Sequence, residues 1–118
     1  MFEREERKMK IEDIRNAINR DIPIEYSMHC QKRMLERNIS RRDIYNCIHT
    51  GEIIEDYPVD ENNTSDKSFP ACLIMGMKCN ENRMIHVVVG YNGKKVIIIS
   101  ACYPDSEHWE NDYKTRRK

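Results

Sequence analysis

The chain has 118 residues, five cysteines, and 20 basic side chains balanced by 20 acidic ones. That length suits one domain with its own apolar core, without metal or disulfide staples. A formal net charge of zero gives no general attraction to nucleic acid or to an acidic membrane surface. The longest apolar runs are strand-sized, which excludes a spanning helix.

Charge is unevenly spread along the chain. Lys32 to Arg42 holds five basic residues against one acidic, Lys114 to Lys118 holds four with none, and Glu52 to Asp66 carries six acidic residues and no basic one. Patches of this kind can bind partners that the average charge conceals. Cys30, Cys47, Cys72, Cys79 and Cys102 are irregularly spaced with no CxxC, so neither a disulfide framework nor a zinc ribbon is indicated. The charged N-terminus, MFEREERKMK, has no apolar stretch behind it and does not read as a signal peptide. A soluble, cytoplasmic protein with reduced thiols is expected.

Residues 1–20 read as an N-terminal helix, partly mobile, with Met9, Ile11, Ile14 and Ile18 as a thin apolar stripe. Residues 21–118 read as a single α+β domain. Ile22 to Tyr26 alternates apolar and polar, and Pro23 suits a short edge strand. Ser27 is an N-cap for a helix over 28–38 that Asn38 ends. Ser40 caps a second helix over 41–50, with Ile44, Cys47 and Ile48 on its buried face, and Gly51 stops it. A strand over 52–57 closes at Pro58, and 59–69 is an acidic, turn-rich loop. Three strands follow near 71–79, 84–91 and 95–103, the last two joined by the hairpin signal Asn92-Gly93. Asp105 or Ser106 is placed to cap a last helix or turn carrying Trp109 and Tyr113, before a basic C-terminal tail. The expected architecture is α+β, with N-terminal helices packed on a C-terminal antiparallel sheet of about four strands.

Two groups of side chains could carry chemistry. On the helix over 28–38, at about 100° per residue, His29, Arg33 and Arg37 fall within about 80° of one another. Cys30 and Met34 stand at the adjoining apolar edge. The stripe is either a solvated basic face, with Glu36 pairing locally, or the margin of a groove. In the hairpin, a two-residue turn pairs Tyr91 with Lys94 and hence His86 with Ile99. Met84, His86, Val88, Ile97, Ile99, Ala101 and Tyr103 then share one sheet face. His86 is the lone polar side chain in the middle of that face, either a satisfied core histidine or the floor of a groove.

Histidine suits proton transfer near neutral pH, and arginine suits phosphate through forked hydrogen bonds. Gathered in one groove with tyrosines, they suffice for metal-free RNA cleavage, and equally for binding a phosphate. His29-Cys30 with Cys72 and Cys79 lacks metal-site spacing, so no metal is expected. The chain has no Walker loop and no GxGxxG, and no cofactor is expected. Trp109 and Tyr113 read as a hydrophobic clamp that docks the tail.

The blocks HCQKRMLERNIS, GEIIEDYP, MIHVVV and ACYPDSEHWENDYKTRR, in that order, resemble the bacterial domain-of-unknown-function 4258 family, from about Tyr26 to Arg117. The chain departs from that pattern at Cys30, where a small residue is common, and in the length of its acidic loop. The resemblance implies small toxin-like proteins with a RelE-like ribonuclease fold, encoded beside a zinc-ribbon antitoxin. Carried over by position, the family's polar set falls on His29, Arg33, Arg37, Tyr57, His86 and Tyr103. The expected function is therefore a metal-independent endoribonuclease toxin. His86 and His29 are its proton-transfer candidates and Arg33 its phosphate-stabilising partner. Arg37, Tyr57 and Tyr103 are placed as substrate-binding residues. The expected partners are RNA, including ribosome-associated mRNA, and an antitoxin protein, with no membrane partner. The alternatives are a non-catalytic RNA- or protein-binding module, and a homodimer that buries the second apolar sheet face.

Overall fold

A computed structural model describes residues 11–57, 70–79 and 82–116. The first ten residues with Met9, and the whole of the expected loop over 59–69, lie outside the described residues. Among the described residues, three helices, α1 (Ile11–Asn19), α2 (Met28–Arg37) and α3 (Arg41–Thr50), precede most of a five-stranded sheet. Its strands are β1 (Ile24–Tyr26), β2 (Glu52–Tyr57), β3 (Ala71–Met77), β4 (Met84–Tyr91) and β5 (Val96–Cys102), in the order β1-β5-β4-β3-β2.

The fold is α+β as expected, but the sheet has five strands and is mixed. β1 joins the edge in parallel with β5, Ile24 opposite Val96 and Tyr26 opposite Ile98. Pro23 lacks an N–H, so it enters the ladder only as an acceptor, its carbonyl taking the Val96 N–H at 2.9 Å. The helix caps form as the sequence indicates. The Ser27 hydroxyl accepts from Cys30 N and donates to the Ile99 carbonyl, which fixes the start of α2 on β5. Asn38 ends α2 in the left-handed region, at φ 55°. Ser40 and Asp43 form a reciprocal capping box at the start of α3.

Helices α2 and α3 cover one face of the sheet, α2 over β5 and α3 over β3 and β4. Cys30, Ile44, Cys47 and Ile48 pack there against Ile74, Ile85, Val87, Val89 and Ile98, all fully buried. Contact between α3 and β3 is close at Gly76, where an added Cβ would collide with the Cys47 backbone. Arg15 of α1 donates to the Ile48 and Gly51 carbonyls at 2.9 and 3.0 Å, capping the C-terminal end of α3.

The hairpin register departs from expectation. Tyr91 pairs with Val96, not Lys94, and residues 92–95 form a four-residue connection. The Asn92 side-chain oxygen accepts from both Lys94 N and Lys95 N, which holds the turn open beyond two residues, and Gly93 takes φ 91°. A bulge between Val88 and Val89 then adds one residue on β5. Beyond that bulge every β5 side chain is displaced to the other face. His86 therefore faces Cys102 rather than Ile99, and Ala101 joins Val87 on the helix-covered face. The segment expected as a last helix or turn is a turn. Asp105 accepts from His108 N and Trp109 N, and Trp109 bridges to Arg116.

Candidate site on the sheet face opposite the helices

Strand alternation places Ile85 and Val87 under the helices, so His86 between them points to the other face. The register places Glu55 beside Leu73, Tyr57 beside Ala71, and Met75 beside His86 on that second face. Glu52 and Glu55 are three apart and would normally point to opposite faces. A bulge between Ile53 and Glu55 brings both carboxylates to the same one.

The C-terminal segment crosses this face from β5 to β2, passing over His86. Trp109 is 6% exposed and packs edge-on against the His86 ring, centroids 4.6 Å apart. His86 Nε2 donates to the Tyr113 carbonyl at 2.7 Å, which leaves Nδ1 as the acceptor of a neutral ring. Tyr113 holds φ 60°, a left-handed conformation uncommon for a bulky side chain. It is the turn residue whose carbonyl meets the imidazole. Burial pulls the His86 pKa below its ordinary value, against the opposing pull of the Tyr113 carbonyl and Glu55.

Two ion pairs moor the segment to β2. Lys114 Nζ meets Glu52 at 2.8 Å, and Arg116 grips Glu55 with two nitrogens, at 2.6 and 3.1 Å. The Arg116 guanidinium also stacks 4.6 Å from the Trp109 ring centre. The Tyr57 hydroxyl donates to Glu55. Arg116 first, then Tyr57, hold the Glu55 carboxyl below the usual carboxylate range. Burial, then the bond to Glu55, raise the Tyr57 pKa. A carboxylate, a phenol, an imidazole and a guanidinium thus adjoin on one sheet face, with an indole over the imidazole.

The remaining sequence-derived candidates lie with the helices. His29 is exposed on α2. Arg33 pairs with Glu36 at 2.8 Å, and Arg37 donates to the Ala101 carbonyl at 3.2 Å. The Tyr103 hydroxyl donates to the Arg37 carbonyl at 2.8 Å, and its ring lies under the Arg83 guanidinium. Tyr103 packs with the helix-covered core, so the register that placed it beside His86 does not hold. Six candidates therefore divide into two groups, His86 and Tyr57 on one face, and His29, Arg33, Arg37 and Tyr103 on the other. Sequence reasoning passed over Glu55, Trp109 as a cover for His86, and Arg116. Alternation from Tyr57 would have found Glu55, two residues back on the same strand. Nothing in the sequence brings Arg116 to β2.

The family model described as Domain of unknown function (DUF4258) matches residues 26–103. The chain belongs to this family. The DUF4258 match runs from Tyr26, the last residue of β1, past the end of β5, and so contains Glu55, Tyr57 and His86 but stops short of Trp109 and Arg116. In this DUF4258 protein the cover over His86 therefore comes from the segment beyond the match. No curated protein and no solved structure matches the chain. Among the described residues, no group of His, Cys, Asp and Glu could hold a metal ion, and no helix is long and apolar enough to cross a membrane.

Proposed function

We propose that this protein is a metal-independent endoribonuclease of the toxin type, acting on RNA from the sheet face opposite the helices. The observation that carries the proposal is the gathering of Glu55, Tyr57, His86 and Arg116 on that one face. Attack by RNA's own 2′-hydroxyl needs a base for its proton, an acid for the leaving 5′ oxygen, and positive charge on the phosphate. Glu55, kept ionised by Arg116, serves as the base once a phosphate takes over the guanidinium. Arg116 then holds the phosphate and Tyr57 orients it. His86 is neutral while Trp109 and Tyr113 cover it. Shifting Trp109 and the Tyr113 turn off the ring, with Arg116 kept on the face, and bringing a phosphate beside the ring raise its pKa and let it protonate the leaving oxygen. An antitoxin partner, which the family resemblance implies, belongs to the same proposal.

A second reading, a non-catalytic binding module, is favoured by one observation: His86 is 2% exposed and its Nε2 is already engaged. Expression from a tight inducible promoter separates the two. Growth arrest by the wild type, lost in both Glu55→Gln and Arg116→Ala, supports the ribonuclease. Harmless expression of well-folded wild type, with a copurifying protein, points to the binding module. Loss of toxicity in Arg33→Ala with full toxicity in Glu55→Gln would move the site to α2.

A further inference from the structure

On the other side of the molecule, α2, the turn after it and the edge strand β1 enclose an open cavity of about 430 Å³. Its walls include Tyr26, Gln31, Met34, Leu35, Ile39 and Arg41. That volume lies within the range of sites that accept a side chain or small ligand. Ile39 is a buried part of the core, whereas Leu35 at the rim is 86% exposed. Met28, one heptad before Leu35 on the same helix face, is 83% exposed. Single exposed apolar residues are ordinary, but two on one stripe beside an apolar cavity form a patch.

The rim is basic. Of the charged residues from Lys32 to Arg42, only Glu36 is acidic, and it is taken up by Arg33. Arg41 lies over the Tyr26 ring, 4.9 Å from its centre, and so stands at the mouth of the cavity. The Tyr26 hydroxyl is buried without a hydrogen-bond partner, an unfavourable state. Tyr45 is near enough to help burial raise its pKa but lies outside bonding geometry, so the hydroxyl stays protonated and remains a donor.

We infer that this cavity docks a protein partner through an acidic amphipathic segment. One aliphatic side chain enters between Met34, Leu35 and Ile39, while a carboxylate meets Arg41, and Lys32 and Arg42, exposed and outside the lining, add longer-range attraction. Charge complementarity selects the acidic flank, and the aliphatic lining selects a protein over RNA. Bases stack on aromatic faces, and the one ring face here is occupied by Arg41. The inference concerns the helix side and stands independently of the ribonuclease proposal.

The probe is a synthetic 16-residue helix with leucines on one face and glutamates on the other, titrated into ¹⁵N-labelled protein. A scrambled peptide of equal composition and an oligouridylate are titrated in parallel. Saturating shifts are expected at Tyr26, along α2 and at Ile39 to Arg41. Leu35→Glu and Arg41→Glu should each weaken binding at least about tenfold, near 1.4 kcal/mol. Both positions are exposed, so unchanged melting curves separate lost binding from lost folding. Equal binding of the scrambled peptide, binding of the oligouridylate at these residues, or no localised shift would overturn the inference. Self-association abolished by Leu35→Glu would also overturn it, by making a second copy the occupant.

Discussion

Trp109→Ala tests whether the C-terminal segment is what seals the second sheet face. The indole is nearly buried, packs edge-on against His86, and lies under Arg116. Removing a buried tryptophan typically costs about 3–5 kcal/mol, counting the lost transfer energy and the space left behind. Here the covering segment can move away, so the lower end, about 3 kcal/mol, is expected. Against a typical total of about 5–15 kcal/mol, the variant should still fold. Urea denaturation measures the loss. NMR titration of the His86 ring supplies an independent reading, because uncovering the imidazole removes the burial that depresses its pKa. The titration should move up toward the ordinary value near 6.5. A loss under about 1 kcal/mol, with His86 still titrating low, would refute the reasoning.

Other outcomes follow from the same contacts. His86 titrates lower folded than unfolded, so the unfolded chain binds the extra proton. Stability should be fully present above about pH 6.5 and fall as pH drops toward the folded pKa. A second decline, from Glu55, should begin below about pH 4.3 and be absent in Glu55→Gln. Denaturant midpoints measured across pH check both. Burial pushes the Cys47 and Cys72 thiols up to about 12, so a thiol reagent should modify half-buried Cys79 well before either. Mass spectrometry of partly labelled protein reads the order. Gly76→Ala should destabilise by about 1–3 kcal/mol, because α3 must shift away from β3.

Much of the fold was legible where a local signal and the hydrophobic pattern agreed. Ser27, Asn38, Ser40 and Gly51 mark the helix ends, and Ile44, Cys47 and Ile48 mark the buried face of α3. The site was less legible because it depends on register. Asn92 lengthens the turn and a bulge follows it, so Ala101 and Tyr103 turn away from the face that holds His86. Bulges have no reliable sequence mark, yet one residue reassigns every side chain beyond it. Helix α2 showed a second limit. Its stripe of His29, Arg33 and Arg37 is real, but periodicity along one helix does not say which sheet face a distant histidine occupies. Arg116 reaches Glu55 across 61 positions of sequence, a contact that only the folded chain displays.

RNA cleavage from the Glu55–His86 face is read with purified protein and a uridine-rich RNA in excess EDTA, with the ends of the products analysed. Metal-independent fragments ending in 2′,3′-cyclic phosphate are expected from wild type and should be abolished in Glu55→Gln and Arg116→Ala. Intact RNA with folded wild type, both alone and in the presence of ribosomes, would contradict it.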